Sequence, residues 1–232
     1  MPSFGDRSTL LEKMDDPAVA AEDTQRALRE VAFINKHLGG YKLVLNALKH
    51  MSWPLKEVSI LDVGCGGGDM LCMIAAWAIR KKKRVMLTGI DWNQVMVDFA
   101  QKRSAYYPGI QFKKISVFDD ALMDQQSDIV INSLFCHHFD KDALVVLVKR
   151  MYQLAGNAVI INDLERNWFA YYAIKGLTRV FSKSYLVKYD APLSVARALT
   201  RREWEEILSL AGITNYTLSR KWAWRWEIIL KK

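Results

Sequence analysis

The chain has 232 residues, 51% of them hydrophobic, which allows one substantial core and argues for a single globular unit. Its 33 Lys and Arg outnumber 25 Asp and Glu, giving a formal charge of +8, but the basic residues are spread along the chain and no basic-aromatic recognition motif accompanies them, so no nucleic-acid partner is expected. The three cysteines, Cys65, Cys72 and Cys136, form no CxxC pair and no disulfide framework, no metal is expected, the N-terminus does not read as a signal peptide, and no apolar run approaches the roughly 20 residues of a membrane span; a cytoplasmic protein is the expectation.

In chain order, Asp15, Asp16 and Pro17 are expected to start a helix carrying Thr24, Ala27, Leu28, Val31, Ile34 and Leu38 at helical spacing, ended by Gly39-Gly40. A second helix follows with Val44, Ala47, Leu48 and Met51. These two are expected to form an N-terminal cap over residues 1–57, ahead of a core over 58–232. Strand patterns near 58–63, 85–91, 110–117, 128–133 and 157–163 alternate with helix patterns near 69–80, 93–104 and 140–154, which predicts a parallel sheet covered on both faces. An aromatic segment at about 165–189 interrupts the rhythm. A helix near 201–211 then precedes strand-like runs near 213–220 and 223–230, expected to pair antiparallel.

The strongest local signal is Ile60-Leu61-Asp62-Val63-Gly64-Cys65-Gly66-Gly67-Gly68, an apolar strand running into a glycine-rich turn before a helix. Glycine lets backbone approach a ligand closely at a helix N-terminus. Asp91, at the end of the next strand, is placed to accept hydrogen bonds from both hydroxyls of a ribose, so an adenosine-containing cofactor is expected; the alternative role is capping the helix from Asn93. A dinucleotide dehydrogenase shares both features. Asp62 tips the balance, because an acid before the turn suits a cationic ligand end and would repel a pyrophosphate.

Through these residues, from Ile60 to about Asp163, the chain resembles the class I S-adenosylmethionine (SAM)-dependent methyltransferases, in particular the small-molecule branch that includes the quinone-biosynthesis enzymes. The resemblance implies an α/β fold, a Rossmann-like, mostly parallel sheet of seven strands with the helical cap and an inserted helical lid. It implies that Asp62, Gly64 and Gly66 hold the methionine part of SAM, Asp91 the ribose, and that Trp92 lies against the adenine. Cys65, Val117, Phe118 and Asn132 complete the implied cofactor contacts. Where the family usually has an acid for the adenine amine, this chain has Ser116, with Asp119 and Asp120 a little later, so either the hydroxyl substitutes or the register shifts.

On the substrate side, Asn132-Ser133-Leu134-Phe135-Cys136-His137-His138-Phe139-Asp140 resembles the family's segment flanking the methyl donor. His137 or His138 is a candidate general base for a phenol, or packs and caps the helix from Asp140; Phe135 is a candidate substrate contact. In the insertion, Phe169, Tyr172, Ala173, Leu177 and Val180 share a stripe widened by Trp168 and Tyr171, suited to a lid in which Trp168 and Tyr172 meet the substrate, or to plain core. Arg166, Lys175, Arg179, Lys183 and Lys188 would also let the segment rest on an anionic membrane, a third reading behind lid and core and not the expected one. Asp190–Arg197 resembles a loop facing the active site, with Arg197 a candidate substrate ligand. The expected activity is O-methylation of a phenolic or polyketide-like hydroxyl on a small apolar or aromatic metabolite. Alternatives are C-methylation of an electron-rich ring, a nicotinamide-dependent oxidoreductase, and a non-catalytic SAM-binding partner protein.

Overall fold

A computed structural model describes residues 4–51, 53 and 57–232; residues 1–3, 52 and 54–56 of the expected cap lie outside the described residues. Strands β1 (Val58–Val63), β2 (Val85–Asp91), β3 (Ile110–Lys114), β4 (Ser127–Ser133), β5 (Ala155–Leu164), β6 (Tyr216–Lys221) and β7 (Arg225–Lys231) form one sheet of order β3-β2-β1-β4-β5-β7-β6. The first five run parallel, while β7 lies antiparallel to both β5 and β6. The fold is therefore the Rossmann-like, seven-stranded, mostly parallel α/β architecture predicted.

Side chains alternate across each strand, so the inner strands feed two cores. Ile60, Leu87, Ile129, Ile131 and Ile160 meet helices α2 (Gly40–Lys49) and α3 (Asp69–Arg80) on one face. Leu61, Ile90, Val130, Val159 and Ile161 meet α5 (Lys141–Leu154) and α8 (Arg201–Leu210) on the other. Helix α2 thus belongs to the main core, with Tyr41, Val44 and Leu48 buried beside β1. Helix α1 (Ala21–His37) lies outside it, over α4 (Gln94–Arg103) and α7 (Tyr185–Arg197). Helix α6 (Trp168–Phe181) packs on α7.

Four expectations need correction. Helix α1 begins at Ala21, after the predicted Asp-Asp-Pro start, because the Asp16 carboxylate instead accepts from Ala18 N–H at 2.8 Å and closes a separate turn. Strand β3 stops at Lys114 and not at 117, where the Ser116 hydroxyl accepts from Phe118 N–H at 3.2 Å and turns the chain. The last two strands start later than predicted because Gly212 and Ile213 still donate to the carbonyls of Ser209 and Leu208 and finish the preceding helix. Residues 190–197 are helix and not loop. Pro192 removes one helical hydrogen bond, but Leu186 and Val187 bury themselves against Ala27 of α1, and the Ser194 hydroxyl donates to Asp190 O at 3.0 Å.

Candidate active site

At the carboxyl ends of β1, β2 and β4, where open α/β sheets bind ligands, lies a cavity of about 420 Å³. Its wall includes Asp62, Gly64, Cys65 and Gly66 from the glycine turn, Asp91 and Trp92 from the end of β2, and Ser116, Val117 and Phe118 from the loop after β3. Gly64 and Gly66 both have positive φ, 68° and 49°, a region costly for other residues. They need glycine for different reasons. A Cβ on Gly64 would lie 2.4 Å from the Phe135 ring, whereas a Cβ on Gly66 would meet nothing nearer than Leu28 at 3.9 Å.

Asp62 is buried, and its Oδ1 has no hydrogen-bond partner, although it belongs to the cavity wall. Burial, then the charges of Asp69 and Asp91, push its carboxyl well above the usual range. Such an atom calls for a cationic or hydrogen-bond-donating ligand, and the ammonium of SAM's methionine part fits it. Asp91 accepts from Gly66 N–H at 3.0 Å and from Asn93 N–H at 2.9 Å. Asn93, and not Asp91, caps α4, accepting from Val95 N–H at 2.9 Å. Burial raises Asp91, partly offset by its two N–H donors, and each oxygen keeps a lone pair for a ribose hydroxyl.

Asn132, an expected cofactor contact, is not part of this wall. It is fully buried, donates to Val63 O at 2.8 Å and accepts from the Cys136 thiol at 3.1 Å, tying β4 to β1.

A second cavity, about 320 Å³ and mostly apolar, lies beside the first, between α1, α6, α7 and the histidine segment. Met14, Val31, Asn35, Leu134 and His138 belong to both walls, so among the described residues His138 is the titratable side chain shared by the two cavities. His137 lines only the apolar one.

The two imidazoles stack with centroids 4.5 Å apart, and each meets carboxylates. His137 Nδ1 lies 2.7 Å from Asp163 Oδ1, and its Nε2 is 3.5 Å from Glu12 Oε1. Burial works against charge on His137, but Asp163 and Glu12 outweigh it and lift the imidazole to about 10, so it is an imidazolium at neutral pH. Burial likewise opposes ionisation of Glu12, yet His138, His137 and the Ser194 hydroxyl pull it down to about 2. His138 Nδ1 lies 2.7 Å from Asp15 Oδ2, leaving Nε2 as the free nitrogen, 3.9 Å from Glu12 Oε2. Donor atoms of Glu12, His137 and His138 gather within 4.8 Å, a set that could ligate a metal only after His137 gave up its proton.

Two guanidiniums hold this segment from behind. Arg197 Nε donates to His137 O at 3.1 Å and Nη2 to His138 O at 2.6 Å, with Nη1 on Leu10 O. Arg7 donates to His137 O at 3.1 Å and Phe139 O at 2.9 Å. Arg197 is therefore spent on backbone carbonyls and is not available as the substrate ligand expected of it. Trp168 and Tyr172 also fail to reach either cavity. Both are exposed, and the α6 residues that line the apolar cavity are Ala170, Ala173, Ile174 and Leu177. Phe135, by contrast, is in the wall of the first cavity.

Sequence reasoning missed Glu12, Asp15, Asp163 and Met14. In sequence Asp15 reads as part of a helix start and Glu12 carries no signal; only the chain's return past α7 brings them to the histidines, 123 residues away for Asp15.

Residues 60–156 match the sequence model of the methyltransferase domain family. The chain is similar to a ubiquinone biosynthesis O-methyltransferase of Bartonella quintana (strain Toulouse), 27% identical over 121 residues that make up 51% of this chain and 46% of the relative. It thus spans about half the length of that curated relative. In fold it is similar to the plantazolicin methyltransferase BpumL in complex with SAH (TM-score 0.67, 19% identity, 94% of this chain and 91% of that one). It is also similar to the CurJ carbon methyltransferase (TM-score 0.65, 14% identity, 92% and 61%) and to human N-acetylserotonin methyltransferase in complex with SAM (TM-score 0.61, 17%, 90% and 54%). The antiparallel β7 inserted between β5 and β6 departs from the 3-2-1-4-5-6 order of dinucleotide dehydrogenases. Residues 60–156 thus match the methyltransferase domain family, and the fold around them is similar to that of solved SAM-dependent methyltransferases.

Proposed function

We propose that this protein methylates an oxygen of a small, largely apolar or aromatic acceptor, with SAM as donor. The observation that carries the reading is His138, which stands in the wall of both cavities with Nδ1 on Asp15 and Nε2 free. SAM, when bound, supplies an electrophilic methyl group. Asp62 would hold its ammonium, Asp91 its ribose, Gly66 the backbone approach, and Trp92, Ser116, Val117 and Phe118 its adenine end.

The acceptor would occupy the apolar cavity, whose walls of Ile34, Ile174, Leu177 and Val187 exclude water and align it. A phenolic hydroxyl, with pKa about 10, would give its proton to His138 Nε2, and the resulting imidazolium would be held by Asp15 and Glu12. His137 already carries its proton, so its part is to anchor Glu12 and Asp163.

The test is incubation with SAM and paired phenols, free and already methoxylated, with SAH and product read by mass spectrometry and NMR. Methylation of the free phenols alone, on oxygen, supports the reading. A new carbon–methyl bond would replace it with C-methylation, and failure of SAM to bind would reject both, as well as a non-catalytic SAM-binding role.

A further inference from the structure

Helix α6 combines an apolar sequence with an exposed position. Of its fourteen residues only Ala170 and Thr178 are buried, while Trp168, Val180 and Phe181 are 61%, 73% and 77% exposed. Its inner face of small and aliphatic residues closes the apolar cavity, so the aromatic residues expected to cover a substrate point outward instead. The outward surface continues sideways: Phe169 lies 5.1 Å from the Trp224 ring and Trp224 5.7 Å from Trp222, itself largely exposed. A contiguous apolar surface of this kind normally meets something.

Charge identifies the occupant. From Arg166 to Tyr189 the chain contains no Asp or Glu. Arg166 is buried in a bidentate pair with Glu203, at 2.9 Å for each bond, which leaves Lys175, Arg179, Lys183 and Lys188 around the apolar surface. Two acids of neighbouring elements are engaged. Glu30 of α1 accepts from Lys183 N–H at 3.0 Å, Ser184 N–H at 3.2 Å and the Ser182 hydroxyl, and Glu165 pairs with Arg220 at 2.6 Å. Aromatic and aliphatic residues ringed by basic ones, on a helix too short to cross a bilayer, match a segment that lies in the interface of an anionic membrane. A second copy of the chain fits less well, since a two-fold contact would bring the same four cations face to face.

We propose that α6, with the α6–α7 turn and the β6–β7 hairpin tip, docks the protein on an anionic lipid surface. Resting on the proposed methyl transfer, this also narrows the acceptor to an amphiphile. One helix then separates the bilayer from the acceptor cavity, so a molecule dissolved in the membrane enters beside α6 without crossing water.

The experiment is co-sedimentation of the full chain with phosphatidylcholine vesicles, with and without phosphatidylglycerol. Binding to the anionic vesicles, released by high salt, is expected. The double variants Lys175→Glu with Arg179→Glu, and Val180→Asp with Phe181→Asp, should each lower partitioning by about tenfold or more. Both should keep the wild-type affinity for SAM and a cooperative thermal transition, because none of these residues belongs to the cofactor cavity. No binding, equal binding to both vesicle types, or binding untouched by the variants overturns the proposal, and sedimentation of a stable dimer without vesicle binding assigns the face to a second copy. Failure of the wild-type chain to bind SAM would instead count against the methyltransfer reading and leave the lipid result standing.

Discussion

His138 Nδ1 lies 2.7 Å from Asp15 Oδ2, and the same residue belongs to the walls of both cavities. If His138 is the base, His138→Gln should lower kcat by about 10²–10⁴-fold with little change in SAM affinity. Asp15→Asn should lower kcat by a smaller factor, and adding it to His138→Gln should cost almost nothing more. Wild-type turnover in both single variants would leave alignment alone as the source of rate.

The carboxylates of the first cavity should matter to the cofactor and not to the acceptor. Asp91→Ala and Asp62→Asn should each weaken SAM by about 1.5–3 kcal/mol, the range for hydrogen bonds to charged groups, as measured by calorimetric titration. Because burial raises Asp62, wild-type affinity for SAM should fall on acidification, and Asp62→Asn should flatten that dependence.

Gly64 and Gly66 should separate stability from binding. Gly64→Ala drives a Cβ into the Phe135 ring at 2.4 Å and should lower the Tm. Gly66→Val meets open cavity, so beyond the roughly 1–3 kcal/mol of left-handed strain its main effect should be loss of SAM binding. Equal effects on both readouts for the two variants would contradict this division.

The Glu12–His137–Asp163 cluster gives stability a defined pH window. His137 titrates near 10 in the folded protein and near 6.5 unfolded, so its contribution is complete below about 6.5 and is lost as pH rises through 10. Glu12 sits at about 2, below its ordinary 4.5, so its contribution holds above the ordinary value and is lost as pH falls towards 2. Thermal unfolding followed from acid to alkaline pH should therefore show a Tm that declines from about 6.5 towards 10. In His137→Gln that alkaline decline should be shallower; an unchanged slope would mean that the imidazolium is not the linked group.

Arg197 should behave as a structural residue. Arg197→Met leaves the carbonyls of Leu10 and His138 without this donor, while His137 O keeps Arg7, and should destabilise the fold by about 1–3 kcal/mol for each carbonyl left buried and unpaired. Normal stability together with a raised KM for the acceptor would restore the substrate-binding role expected from sequence.

The sheet and the cofactor cavity were legible in the sequence because their signals are local. Strand, glycine turn and helix follow one another from Ile60 to Met70, and Asp91 ends the next strand, so short-range periodicity and backbone freedom determine where each group stands. The polar cluster on the acceptor side was not legible. Glu12 and Asp15 reach the histidines across more than a hundred residues, through the packing of the N-terminal segment on α7, and no spacing rule records such a contact. Helix α6 shows the same limit from the other side. Its composition announces an apolar helix at once, but aromatic residues surround so much of its circumference that only docking on α7 decides that Ala170, Ala173 and Ile174 face the cavity while Trp168 and Phe181 face outward. Local order along the chain fixed the sheet and placed the glycine turn and Asp91 in the wall of the first cavity. Tertiary structure alone decided which histidine is shared by the two cavities, because that depends on carboxylates and helices that meet only after the chain has closed.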